Sequence, residues 1–340
     1  MAQNLAPSLN FPPPIPAEWA PHKALWTAFP SDPDLWMDDL ENARKEFAAL
    51  ARALAKGVKM RVLASGNEAV KSATSQIGDV ADILPVPFGD IWLRDTGPIF
   101  GSDAHGKPLA HLFRFNGWGG KYIMKGDEEV GAAIADISNT NAVAHDFIME
   151  GGSLDMDGAG TCLTTRQCLL NPNRNKGWST EKIEKALGDA LSIRTLLWLD
   201  EGLEGDHTDG HIDNIARFVA PGKVVCQHAN GADDPNAATL KAIEEKLCSF
   251  KDAQGRNLEV ITIPSPGRVN DVEGQPAAAS HMNFIITNKV VAVPVYNEKG
   301  AAAVTALTRL FPGREVVGLS ARAILSGGGA FHCITQQEPA

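Results

Sequence analysis

Five short polar clusters, most of them rich in glycine, recur along this chain, each beside an apolar run of strand character. They are residues 90–97 (Asp-Ile-Trp-Leu-Arg-Asp-Thr-Gly), 150–152 (Glu-Gly-Gly), 206–213 (Asp-His-Thr-Asp-Gly-His-Ile-Asp), 280–283 (Ser-His-Met-Asn) and 327–333 (Gly-Gly-Gly-Ala-Phe-His-Cys). The steps between them are roughly 50 to 70 residues, the size of one small supersecondary unit. Repetition of such a unit around an axis turns equivalent strand ends toward one another, so that polar residues far apart in sequence converge. Glycine-rich loops also fall between strands in any α/β protein, and spacing alone leaves both arrangements open.

The runs between the clusters read as α/β throughout. Apolar residues at helical spacing predict helices over 35–56, 128–137, 180–187, 236–250 and 301–310. Strand character marks 58–63, 83–88, 216–220, 258–263, 283–287 and 289–295. The stretch up to Glu18 is Pro-rich and is expected to be extended. No linker or low-complexity tract divides the chain, so a single domain over 1–340 is the expectation. Hydrophobic residues make up 44% of the chain, enough for a sizeable core, and no run of eighteen apolar residues predicts a membrane span. The N-terminus has neither the basic nor the apolar region of a signal peptide, which makes a cytoplasmic location the default. The formal charge of -10 argues against a nucleic-acid partner, whose phosphates demand a basic surface. It is compatible with a cationic ligand, and equally with ordinary solubility.

The five cysteines, Cys162, Cys168, Cys226, Cys248 and Cys333, form no CxxC pair and are odd in number, against both a disulfide framework and a zinc ribbon. Cys333 differs from the others in its setting. It follows three consecutive glycines, where the missing Cβ atoms let backbone approach a ligand closely. If 332–335 is a strand, His332 and Cys333 point to opposite faces, which makes His332 a poor base for the thiol. In 206–213, His211 and Asp213 lie two apart and share a face if the segment is extended. A histidine beside a carboxylate suits proton shuttling. His207, Asp209, His211 and Asp213 are alternatively a candidate metal set. Asp95, close in sequence to Trp92, offers a carboxylate and an indole face to a planar cation. Glu150 before two glycines is as compatible with a turn as with chemistry.

One thiol, one imidazole and three carboxylates have a chemical use together. A guanidinium carbon resists attack; carboxylates that orient the group keep it protonated and electrophilic, and its charge favours thiolate over thiol. At this point the motifs become recognisable. The segments 92–98 (Trp-Leu-Arg-Asp-Thr-Gly-Pro), 115–122 (Phe-Asn-Gly-Trp-Gly-Gly-Lys-Tyr), 150–152, 208–214 (Thr-Asp-Gly-His-Ile-Asp-Asn) and 327–339 make the chain similar to the agmatine deiminase family, within the group related to bacterial peptidylarginine deiminases. The resemblance implies a five-fold pseudosymmetric α/β propeller, the pentein fold. It implies Cys333 as nucleophile and His211 as general acid/base. Asp95 and Asp213 would hold the guanidinium, Glu150 would support that site and Trp92 would line it. It implies no cofactor and no metal, and is compatible with a homo-oligomer. Where the family often has Asn-Ile, this chain has Ala330-Phe331, a departure beside the nucleophile that bears on the shape of the site.

Three rival readings stand beside an agmatine substrate: free or peptide-terminal arginine, a metal-dependent hydrolase built on 207–213, and a polyamine-binding protein without chemistry. Asp209, Glu273 and Arg268 are the charged residues whose placement relative to the distal end of a substrate the sequence leaves open.

Overall fold

The computed structural model describes residues 12–340 except Val272. Five small sheets carry the fold, each built on one plan. The first contains β1 (His22–Ala28), β2 (Lys59–Ala64) and β3 (Ala81–Pro85). The second holds β4 (Ile99–Ser102), β5 (Pro108–Arg114) and β6 (Asn141–Ile148), and the third β7 (Asp155–Met156), β8 (Thr161–Thr165) and β9 (Thr195–Leu199). The fourth holds β10 (Ala216–Ala220), β11 (Lys223–His228) and β12 (Glu259–Pro264), and the fifth β13 (Ile285–Ile286), β14 (Val290–Val295) and β15 (Glu315–Ser320).

In the second to fifth sheets the first two strands are antiparallel, and the third returns parallel to the second. The parallel return requires a crossover. Helices Asp127–Ser138, Thr180–Leu191, Ala237–Cys248 and Gly300–Thr308 supply it. The first sheet obeys the same rule with a displaced part. Helix Leu40–Leu54 links the parallel strands β1 and β2, and the antiparallel partner of β1 is β16 (Thr335–Pro339), from the far end of the chain. The order β16-β1-β2-β3 thereby closes the ring of units. Each of the five polar clusters immediately precedes the antiparallel strand of its unit: β4, β7, β10, β13 and β16. The five-fold α/β architecture that the family resemblance implies, one of the two arrangements the cluster spacing left open, is therefore the one observed.

The outer helices bury one face each. In Leu40–Leu54, Ala43, Phe47, Leu50, Ala51 and Leu54 join one buried cluster with Leu25, Val62 and Leu63 of β1 and β2, all three fully buried. Side chains of this size contribute roughly 1.5–3 kcal/mol each when buried. The predicted helix 35–56 is instead broken. Pro33–Trp36 forms one turn, Met37–Asp39 is a 3-10 turn, and the long helix starts at Leu40. Leu35 is correspondingly exposed, while Trp36 packs on Trp92 with ring centroids 6.3 Å apart. The strand expected over 283–287 shrinks to Ile285–Ile286. The segment 331–334 is a turn, with β16 starting only at Thr335, so the alternation argument that separated His332 from Cys333 does not apply. Of the Pro-rich stretch, 1–11 lies outside the described residues, and 12–17 carries no regular structure. No described helix is long and apolar enough to cross a membrane.

Candidate active site

All five polar clusters deliver side chains to one place. Residues 90–97 end in a one-turn helix, Leu93–Thr96, which carries Asp95. Asp95 Oδ1 accepts from the Gly152 N–H at 2.9 Å, and Oδ2 accepts from Trp118 Nε1 at 2.9 Å. Trp118 reaches this position from a left-handed backbone at φ 51°. Its neighbour Gly119, at φ 82°, would drive a Cβ within 2.3 Å of the Asn173 side chain. Only glycine serves there.

Cys333 follows the glycine run on the opposite side. A Cβ on Gly329 would lie 2.6 Å from Trp92 Cζ3 and 3.1 Å from the Cys333 Cβ, and one on Gly327 3.0 Å from Trp92 Cζ2, so these two glycines let an indole lie on the backbone next to the thiol. Asn283, from the fourth cluster, orients the turn. Its Nδ2 donates to Cys333 Sγ at 3.0 Å, and its Oδ1 accepts from the His332 and Cys333 N–H groups at 2.9 and 3.2 Å. The Cys333 thiol also lies 3.7 Å from Asp213 Oδ2. Burial first, then the charges of Asp213 and Asp95, push this thiol well above its ordinary value. A cation bound between thiol and carboxylates reverses that effect.

His211 is fully buried and begins a 3-10 turn, Ile212–Asn214, so 206–213 is not extended and the expected His211–Asp213 pair does not form. The carboxylate nearest His211 is Asp95, at 3.7 Å, while Asp213 turns to His332, 2.8 Å away. Burial opposes a charged imidazole, but Asp95, Cys168 and Glu150 outweigh it and hold His211 well above the ordinary histidine value. Neither ring nitrogen of His211, nor Asp213 Oδ1, has a hydrogen-bond partner. Buried polar atoms are nearly always satisfied, so orphans gathered at one site mark where a ligand completes the network.

A cavity of about 220 Å³ opens onto this group, lined by Cys333, Asp95, Trp92, Trp118, Trp36 and Asp90 among others. His211, Asp213 and Glu150 sit behind its wall. Glu150 is held by Arg174 Nε at 2.7 Å and lies 4.0 Å from Cys168 Sγ. The metal set drawn from 207–213 does not assemble. His207 bonds Tyr122 Oη at 2.9 Å, Asp209 is pinned by Lys121 and Arg174, and Asp213 faces His332. Among the described residues the grouping with metal-ligand geometry is Glu150, Cys168 and His211, and Arg174 already neutralises its one carboxylate. Ala330 and Phe331 are buried in the apolar core and do not line the cavity, nor do Asp209, Glu273 or Arg268.

Sequence reasoning missed several participants. Asn283 lay in a cluster assigned no role, Trp118 lay in a matched segment without one, and Asp90 stood two residues before Trp92. Arg174, Cys168 and Glu18 carry no local signal.

The chain matches the model of the family described as Porphyromonas-type peptidyl-arginine deiminase over residues 14–339. It is 38% identical over 351 residues to the agmatine deiminase of Pseudomonas aeruginosa, covering 96% of this chain and 95% of that protein. It is 37% identical over 350 residues to that of Stutzerimonas stutzeri, with the same coverage. Among solved structures it resembles the agmatine deiminase of Enterococcus faecalis, with TM-score 0.91 and 33% identity, covering 96% of this chain and 95% of that one. A cysteine-to-serine variant of C. jejuni agmatine deiminase with substrate bound superposes with TM-score 0.87 at 25% identity, each chain covered to 96%.

Proposed function

The chain belongs to the Porphyromonas-type peptidyl-arginine deiminase family, and from that premise we propose that it is an agmatine deiminase, hydrolysing agmatine to N-carbamoylputrescine and ammonia through a covalent intermediate on Cys333. The observation that carries this reading is the placing of Cys333 and Asp95 on one cavity wall, with His211 and Asp213 directly behind.

Asp95 and Asp213 hold the guanidinium; the orphaned Asp213 Oδ1 accepts one of its N–H groups. The substrate charge lowers the cost of ionising Cys333, and the thiolate attacks the guanidinium carbon. His211, protonated beforehand, gives its proton to one amino group, which departs as ammonia and leaves a cationic amidino-thioether. Neutral His211 then takes a proton from water as the oxygen attacks the same carbon. The C–S bond breaks, the thiolate returns, and the ureido product departs after losing the remaining proton. Glu150 supports His211, and Trp92 lines the path. Every step uses side chains of this chain, and the reading assigns no role to a metal or cofactor. Residues 1–340 act as one deiminase domain in it, supported by the pairing of β16 with β1. Five free cysteines suit a reducing cytoplasm.

The test is ammonia release from agmatine, with and without chelator, by wild type and Cys333→Ala. Chelator-resistant release by wild type, reduced by about a thousandfold or more in the variant, is expected. Release by Cys333→Ala near the wild-type rate sinks the assignment. Release from arginine but not agmatine moves the substrate within the family.

A further inference from the structure

Beyond the reacting group, the cavity presents a second anionic point. Asp90 lines it and is otherwise buried. Its Oδ1 accepts from the Ile91 N–H at 2.7 Å, and its Oδ2 accepts from Trp92 Nε1, also at 2.7 Å. Behind it Asp127, at the start of helix Asp127–Ser138, accepts from the N–H groups of Gly89 and Asp90 through Oδ1, while its buried Oδ2 has no partner. Among the described residues, no lysine or arginine side chain lines the cavity. Burial pushes Asp90 up to about 7 and Asp127 up to about 6, and no basic side chain counters either shift. One carboxylate thus lies at an aromatic-walled cavity, with a second buried behind it and no lysine or arginine among the described lining residues to answer it.

The position of Asp90 relative to the thiol is set by one side chain. The Trp92 indole is bonded to Asp90 at its nitrogen, and its far edge, Cε3 and Cζ3, lies against Gly329 beside Cys333. Asp90 and the thiol therefore stand at opposite ends of one indole. The long axis of an indole and a spacer of four methylenes are of similar length. Trp36 and Trp118 line the same cavity and offer π faces along the way.

We propose that Asp90 is the specificity-determining residue of this enzyme, taking the distal ammonium of a diamine-derived guanidine while the guanidinium sits at Cys333. This rests on the deiminase reading and adds what that reading lacks, a group that recognises the end of the substrate away from the chemistry. It also gives the cavity a polarity. A free carboxylate at the distal end meets a carboxylate and no cation, whereas an ammonium relieves a buried charge that lacks a counterion.

The test compares kcat/KM for agmatine and for butylguanidine, which has the same reacting group and a methyl in place of the aminomethyl end. Wild type is expected to favour agmatine by about 10- to 100-fold, the scale of a hydrogen bond to a charged group. Asp90→Asn, which keeps an acceptor for Trp92, is expected to bring that ratio close to one. An unchanged ratio in Asp90→Asn, or equal kcat/KM for the two guanidines in wild type, overturns the inference while leaving the deiminase reading intact. Wild type that releases ammonia from neither guanidine overturns both. Should Asp90→Asn fail to fold, Asp90→Glu decides. Its longer arm is expected to shift the preference toward 3-aminopropylguanidine, and an unaltered length preference overturns the assignment.

Discussion

His332 bridges two carboxylates at this site: its Nδ1 lies 2.8 Å from Asp213 Oδ2, and its Nε2 lies 2.7 Å from Glu18 Oε2. His332 is not the partner of its neighbour Cys333. It positions the carboxylate that the thiol faces, and it ties that carboxylate to the first described segment of the chain. Glu18 in turn receives Arg217 Nη2 at 2.6 Å and the Ile286 N–H at 2.7 Å.

Removing the ring breaks this buried relay at both ends. His332→Ala is expected to destabilise the fold by about 3–5 kcal/mol, the cost of leaving buried charges unpaired. Urea unfolding measures this directly. A loss below about 1 kcal/mol would mean that water replaces the imidazole without penalty.

Gly152 sits where the side chains of His211, Asp95 and Asp213 meet. A Cβ there would lie 2.6 Å from His211 Nδ1, 2.8 Å from Asp95 Oδ1 and 3.1 Å from Asp213 Oδ2. Its φ is not in the left-handed region, so alanine is permitted by the backbone and excluded only by the site. Gly152→Ala is expected to lower kcat for agmatine by roughly a hundredfold, the scale of a misplacement of about 1 Å. A variant with wild-type kcat would place the reacting geometry elsewhere.

The rate should depend on pH through two groups shifted in the same direction. His211 is held above the ordinary histidine value, so the proton it donates is lost only as pH rises through that raised value. The Cys333 thiol is also raised while no substrate cation is present, so in the free enzyme the acid side is limited by thiolate formation. An optimum on the alkaline side of neutrality is expected from a profile of kcat/KM. A fall in kcat/KM as pH rises through the ordinary histidine value would contradict the protonated His211.

Acid stability follows from Glu18. Burial opposes its charge, but Arg217, His332 and Arg94 outweigh burial and hold its carboxyl far below the ordinary range near pH 4.5. Its folded value being depressed, the stabilisation is fully present above that range and is lost as pH falls through it toward the folded value. Glu18→Gln is expected to flatten the dependence of unfolding free energy on pH below about 4.5, measured by denaturant titration at a series of pH values. An unchanged slope would show that other carboxylates govern acid unfolding.

How much of this was legible in the sequence depends on how local each cause is. The five clusters mark the five units because each precedes one strand of a repeated plan, but their spacing alone suited ordinary α/β loops equally; the helix over 236–250 was readable because Leu240, Ile243 and Leu247 share a buried face. Cys333 was readable from the glycines that let Trp92 approach. The pairing of His211 with Asp95 rather than Asp213 was not readable, because Gly210 at φ 84° and the 3-10 turn after His211 rotate two nearby side chains to different partners. The Arg174 bond to Glu150 joins two loops of the third unit, and the seat of Glu18 depends on contacts between units; no local periodicity marks either. Leu35 misled because its spacing fitted a helix that the 3-10 turn at Met37–Asp39 interrupts.

The antiparallel partner of β1 comes from beyond all the other units, and the segment leading into it carries the thiol. During synthesis, the acids at 95 and 213 and the imidazole at 211 therefore leave the ribosome before residues 332 and 333. Until β16 docks on β1, Asp213 lacks its His332 partner and no thiol faces it. On the proposed reading, a chain that stops short of position 333 releases no ammonia, and ring closure and the onset of turnover are one event.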